Sequence, residues 1–282
     1  MFWNKTKRSK NVDDQRKYKD ERSVSGKALV SGLLASLAIS SAGYWAWLTM
    51  TGGPLYALKE KEKHDAEIVR QIGDDPHRAF IETILGSTEE VWTELLAETG
   101  VQYQPPTLVL YNDGVASGCG YLISKSVGPA YCPEDKKIYI DLHSLEQETT
   151  ISSNVSDFAQ AYVIAHEVAH HVQNSLGLSE RIEEARKKGE PFTGASGLSV
   201  RRELQADCLA GVWANHAQKK FDWLEWGDID EALALAATMG NDVGNIPPDK
   251  YTHGTSQQRA RWFNTGLTDS EGDCRTFDGA QL

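Results

Sequence analysis

Asp157-Phe158-Ala159-Gln160-Ala161-Tyr162-Val163-Ile164-Ala165-His166-Glu167-Val168-Ala169-His170-His171-Val172-Gln173 is the stretch on which the reading of this 282-residue chain turns. It reads as one helix carrying H-E-x-x-H at His166, Glu167 and His170. A helix advances about 100° per residue, so the two histidines stand one turn apart on one face. Their imidazoles can converge on a single cation. Neutral imidazole suits Zn²⁺, and a catalytic zinc takes three protein ligands with one position left open. Glu167 is rotated off the ligand face, where its carboxylate can take a proton from water attacking a carbonyl and pass it to the leaving amine. His171, five residues after His166, is turned away from the pair. The same five residues could also sit on an amphipathic helix that binds nothing, so the motif needs a third ligand nearby.

A second helix supplies one. Ser199 to Gly211 holds Glu203 and Asp207 four residues apart, facing the same way. Leu204, Ala206, Cys208, Leu209, Ala210, Val212 and Trp213 surround them, and acids in so apolar a run need a reason. Glu203 can be the third ligand. Asp207 can accept the outward N–H of a ligand histidine and fix its tautomer. The extended H-E-x-x-H-x-x-G-x-x-H form needs glycine at 173 and histidine at 176, and the chain has Gln173 and Leu176.

With these residues in place the chain resembles gluzincin metallopeptidases, and more closely the bacterial putative neutral zinc metallopeptidase family. The matching stretches are Ser117–Gly120, Gly128–Pro133, Lys137–Leu142, Asp157–Gln173, the segment around Glu203, and Tyr251–Ser256 through Arg261–Phe263. The resemblance runs over about residues 55–280. It implies one zinc per chain, held by His166, His170 and Glu203, with Glu167 as the base acting on a peptide or protein substrate. It names no substrate. For the oxyanion of the transition state the best-placed residue is His253, in a polar turn ahead of a helix at 256–266, with Tyr251 and Arg261 as alternatives. A catalytically inert, zinc-stabilised envelope scaffold is the competing reading; an open coordination position would favour the enzyme.

Charge is divided unevenly. Residues 1–27 carry nine Lys/Arg against four Asp/Glu, a net +5, so a chain of net −11 has −16 in the remainder. An acidic main body argues against a nucleic-acid partner. No charge occurs from Ala28 to Leu58. Residues 28–50 would make a helix of about 35 Å, long enough to cross a bilayer core, with Tyr44, Trp45 and Trp47 at its far end. The expected order is a basic cytoplasmic arm at 1–27, a transmembrane anchor at 28–50, a juxtamembrane linker and helix at 51–74, and the peptidase domain at 75–282. A cleaved signal peptide or a core helix are the alternatives for 28–50. The positive-inside rule then puts the domain on the extracytoplasmic side of a bacterial cell membrane, periplasmic or outer.

Four cysteines, Cys119, Cys132, Cys208 and Cys274, contain no C-x-x-C pair, and an even count on the outer side suits two disulfides. Three pairings are possible. Cys119–Cys132 with Cys208–Cys274 is favoured, the second pair on the strength of the family resemblance; reduced thiols are the alternative. Strand signals at Thr107–Tyr111 and Lys137–Asp141 stand among helical segments, including 75–99. The expected fold is α+β: a mainly helical domain with a small sheet, preceded by one transmembrane helix. One sheet edge could hold an extended substrate.

Overall fold

The computed structural model describes residues 1–16, 75–151, 154–244, 246–268, 274–278 and 282. Met1–Arg16 and Ala79–Leu282 form one compact unit. Helix α1 (Pro76–Glu98) starts on a proline, whose missing N–H costs nothing in a first turn. The Asp75 carboxylate ahead of it accepts from the His77 and Arg78 amides at 2.9 and 3.4 Å. Phe80, Ile81, Ile84, Val91, Trp92 and Leu96 form the buried stripe that the sequence spacing predicts.

The two expected strands are present. They are β2 (Thr107–Tyr111) and β6 (Lys137–Asp141), paired in parallel with Leu108 opposite Ile138. Leu108, Leu110, Ile138 and Ile140 face the main core, and Val109, Tyr111 and Tyr139 face a second cluster with Val115 and Cys132. Burial on both faces is the normal condition of parallel strands. Strand β5 (Ala130–Cys132) pairs antiparallel with β6, and β1 (Val12–Asp14) pairs in parallel with β2, giving the order β1-β2-β6-β5. A hairpin of β3 (Gly114–Ser117) and β4 (Gly120–Ile123) precedes the four-residue helix α2 (Ser124–Val127). Helix α3 (Leu142–Glu148) follows β6, and β7 (Thr150–Ile151) pairs with β8 (Asn154–Val155).

Strand β1 corrects the expected order of domains. The sequence places residues 1–16 within a basic cytoplasmic arm; they are built into the same compact unit as Ala79–Leu282. The Asn11 carbonyl accepts from Leu108 N at 2.8 Å and Gln15 N donates to the Leu110 carbonyl at 2.8 Å. The Ser9 hydroxyl and the Asn11 amide both donate to Glu89 Oε1 on α1, at 2.6 and 2.8 Å, and Trp3 stacks edge-on against Phe80. A strand cannot pair with β2 across a bilayer, so this arrangement does not fit a cytoplasmic arm and an extracytoplasmic domain separated by a single crossing. The expected anchor at 28–50, the remainder of the arm and the linker at 51–74 lie outside the described residues. Among the described residues no helix is long and apolar enough to cross a membrane.

Helix α4 (Asp157–Ser175) carries the opening motif. The Ser156 hydroxyl caps it, accepting from Ala159 N at 3.0 Å. Fifteen of its nineteen residues are buried, so it is the central helix of the unit. Short helix α5 (Leu178–Lys187) and a bent segment lead to α6 (Leu198–Phe221), which packs on α4. After α7 (Asp228–Thr238) comes α8 (Ser256–Thr268), which lies hard against α6. A Cβ on Gly266 would fall 1.8 Å from the Cys208 carbonyl oxygen, and one on Gly211 would fall 2.1 Å from that of Phe263. Only glycines permit this crossing, and it brings α8 side chains within reach of Asp207. Disulfides join Cys119 to Cys132 and Cys208 to Cys274, the favoured pairing.

Candidate metal centre

His166, buried, and His170, half-buried, project from α4 one turn apart, and Glu203 meets them from α6. One donor atom from each of the three lies within 4.8 Å of the others. Glu203 Oε2 is 3.2 Å from both His166 Nε2 and His170 Nε2. Its other oxygen, Oε1, is taken by Arg202, whose Nη2 donates at 2.7 Å. Burial works to raise the Glu203 pKa, but the imidazoles of His170 and His166 and the Arg202 guanidinium hold it well below the usual carboxylate range. Two imidazoles and one carboxylate converging on one point form a donor set that fits Zn²⁺.

The outward nitrogens are both engaged, by different means. His166 Nδ1 donates to Asp207 Oδ1 at 2.8 Å. Asp207 is fully buried and also receives Tyr162 Oη at 2.5 Å. It receives Arg259 twice, Nε at 2.9 Å and Nη2 at 2.8 Å. Arg259 is only 1 % exposed. Desolvation would raise the Asp207 carboxyl, and the Arg259 guanidinium and His166 more than reverse it, leaving the pKa far below normal. For His166, burial opposes the charged form, yet Asp207 and Glu203 push its pKa up to about 9. His170 Nδ1 instead donates to the Gln173 carboxamide oxygen at 2.8 Å. Gln173 in turn donates to the Arg202 carbonyl at 2.8 Å and to Gln205 Oε1 at 3.0 Å. In both histidines Nδ1 is committed and Nε2 faces the shared point.

Glu167 is buried beside the ligand set and lines the same cavity, which measures about 640 Å³. His253 lines the same cavity, with Nε2 3.9 Å from Glu203 Oε2. Its backbone N–H and that of Thr252 both donate to Asn241 Oδ1, at 2.7 and 2.8 Å, and its Nδ1 is 2.8 Å from the Thr252 hydroxyl. Desolvation, with Arg259 and the two ligand histidines nearby, lowers its pKa despite Glu203. The alternatives to His253 stand elsewhere. Tyr251 is buried in the main core, and Arg261 lies over the Trp262 ring on the outer side of α8. His171 is buried away from the ligand set: Nε2 donates to the Gln104 carbonyl at 2.7 Å, and Nδ1 accepts from Tyr131 of β5 at 3.1 Å. It fastens the edge strand to α4.

Sequence reasoning missed Arg259, Tyr162, Gln173 and Asn241. Two of these had a signal. Arg259, Trp262, Phe263 and Gly266 form the buried stripe of α8 at helical spacing, so an arginine stood in an apolar row. Tyr162 is one turn ahead of His166 on the same face.

A family model described as "Putative neutral zinc metallopeptidase" matches residues 1–277, and so includes the N-terminal strand. An Escherichia coli K12 protein named "Uncharacterized protein YpfJ" is 37 % identical over 293 aligned residues, covering 98 % of this chain and 99 % of its own. The Mycobacterium tuberculosis H37Rv protein named "Uncharacterized protein Rv2575" is 39 % identical over 213 residues, 70 % of this chain and 69 % of its own. No solved structure matches.

Proposed function

This chain belongs to the putative neutral zinc metallopeptidase family, and from that premise we propose that it hydrolyses peptide bonds with one zinc held by His166, His170 and Glu203. The observation that carries the reading is the convergence of two Nε2 atoms and one carboxylate oxygen in a cavity that Glu167 also lines. A structural zinc is enclosed by four protein ligands, whereas here three meet at the wall of an accessible cavity, which favours the enzyme over an inert scaffold.

When bound, the zinc supplies Lewis acidity to a substrate carbonyl and lowers the pKa of water. The chain's own residues do the rest. Asp207 and Gln173 hold the two imidazoles in the Nδ1–H tautomer, so that Nε2 is presented as a lone pair. Glu167 accepts the proton of the attacking water and returns it to the departing amine. His253 donates through Nε2 toward the oxygen on which negative charge develops. Strand β5 ends the sheet among the described residues, and Ala130 and Tyr131 on it line the cavity. An extended peptide pairing along that edge brings its carbonyl to the ligand set.

The test is Glu167→Gln. It should retain one zinc per chain by elemental analysis while peptide hydrolysis falls by about 10²–10⁴-fold. Full activity in that variant would sink the mechanism.

The two disulfides support an oxidising, extracytoplasmic location. Met1–Arg16 shares that side with the catalytic unit. A membrane-impermeant maleimide applied to intact cells should label K10C and W226C alike, both positions being exposed. Labelling of W226C alone would put the arm back across the membrane.

A further inference from the structure

The cavity holds a carboxylate that the proposed mechanism does not use. Glu148 is the last residue of α3 and lines the same cavity as the ligand set, together with Ser144 from the same helix. It has no hydrogen bond and no ion pair among the described residues. A Cβ on Gly128 would lie 3.0 Å from Glu148 Oε1, and Gly128 has φ of +68°, a conformation that L side chains rarely adopt. Gly128 caps α2 ahead of edge strand β5, and the Glu148 carboxylate lies against it. Burial raises the Glu148 pKa, and the Glu167 carboxylate across the cavity raises it further.

Glu148 is exposed to the cavity, and with the Glu167 carboxylate on the same lining it makes that part of the cavity negative. It gains most from a cation delivered by a ligand. The chain does not supply one. Lys125 lines the same cavity but forms no ion pair with Glu148, Arg202 is spent on Glu203, and Arg259 on Asp207.

We propose that Glu148 is the specificity-determining residue of the cleft, accepting an ammonium or guanidinium group of the substrate close to the bond that is cut. The inference rests on the peptidase reading for its biological sense, but its binding test does not need turnover. The cation has two sources, a lysine or arginine side chain or a free amino terminus. Both present the same charge to the carboxylate and differ in where the peptide begins.

The experiment is calorimetric titration of the full-length Glu167→Gln protein with two pairs of probes. The first pair is acetyl-Ala-Lys-Ala-amide against its norleucine analogue. The second is Ala-Ala-Ala-amide with a free amino terminus against its acetylated form. The cationic member of one pair should bind about tenfold more tightly at low salt, and the advantage should shrink as salt is added. Adding Glu148→Gln should bring that ratio to about one, and Glu148→Lys should reverse it. The pair that responds identifies the source of the cation. Ratios of one in both pairs, or a ratio that survives Glu148→Gln, overturn the proposal. Absence of zinc-dependent hydrolysis in the wild type would instead overturn the peptidase reading and leave these binding ratios standing.

Discussion

The two histidines of one motif, a single helical turn apart, are held by opposite means. His166 rests on an ionic lattice closed to solvent, Asp207 with Arg259 and Tyr162. His170 rests on a neutral carboxamide, Gln173, at the less buried end of the turn. Both supports set the same tautomer. The difference lies in what else they hold. The Asp207 cluster joins α4, α6 and α8, so it is a joint of the fold as well as a brace for a ligand. Gln173 ties α4 to α6 through uncharged bonds, and its loss strands no charge.

Asp207→Ala is the strongest way to break this contrast. It leaves a buried guanidinium unpaired, and the cost should be about 3–5 kcal/mol of unfolding free energy, read from denaturant midpoints. A loss below about 1 kcal/mol would make the two supports equivalent. The pH dependence follows from the direction of the Asp207 shift. Its folded pKa is depressed below the ordinary 3.8, so its stabilisation is complete above that value and drains away as pH falls through the folded value. The gap between wild type and Asp207→Asn should therefore be full at neutral pH, persist near pH 4 and narrow only in stronger acid.

His253 sharpens the contrast, since its Nδ1 is held by its neighbour Thr252 and its Nε2 stands 3.9 Å from Glu203, while Asn241 fixes its backbone. His253→Asn should lower hydrolysis about 10²–10³-fold, with zinc content and the denaturation midpoint unchanged. If zinc is lost as well, His253 belongs to the ligand set and the cleft is closed. Gln173→Leu should have the smallest effect: zinc affinity lower by about 10–100-fold in competition with a chelator, and stability lower by about 1 kcal/mol. A larger loss of stability than in Asp207→Ala would invert the comparison.

What the sequence revealed about the site tracks how local each relation is. His166, Glu167 and His170, and Glu203 with Asp207, are fixed by the geometry of a single helix, so their spacing alone placed them on common faces. Arg259 was legible too, as a charge in an apolar stripe, but the arginine named there, as an alternative to His253, was Arg261, which the helix turns outward. Gln173 was beyond reach, because its role depends on which nitrogen of His170 carries the proton. Strand β1 was the hardest. Three residues flanked by lysines and arginines have the composition of a solvated arm, and the partner that orders them lies some ninety residues on. Strands β2 and β6 needed no such partner to be seen, because they are apolar on both faces.

That separation also has a schedule. Val12 pairs with Leu108, and Leu108 with Ile138, so β1 waits for the remainder of its sheet to be made. At about 5–20 residues per second that wait is on the order of ten seconds. Strand β1 is thus made before β2 and β6 and secured only after them.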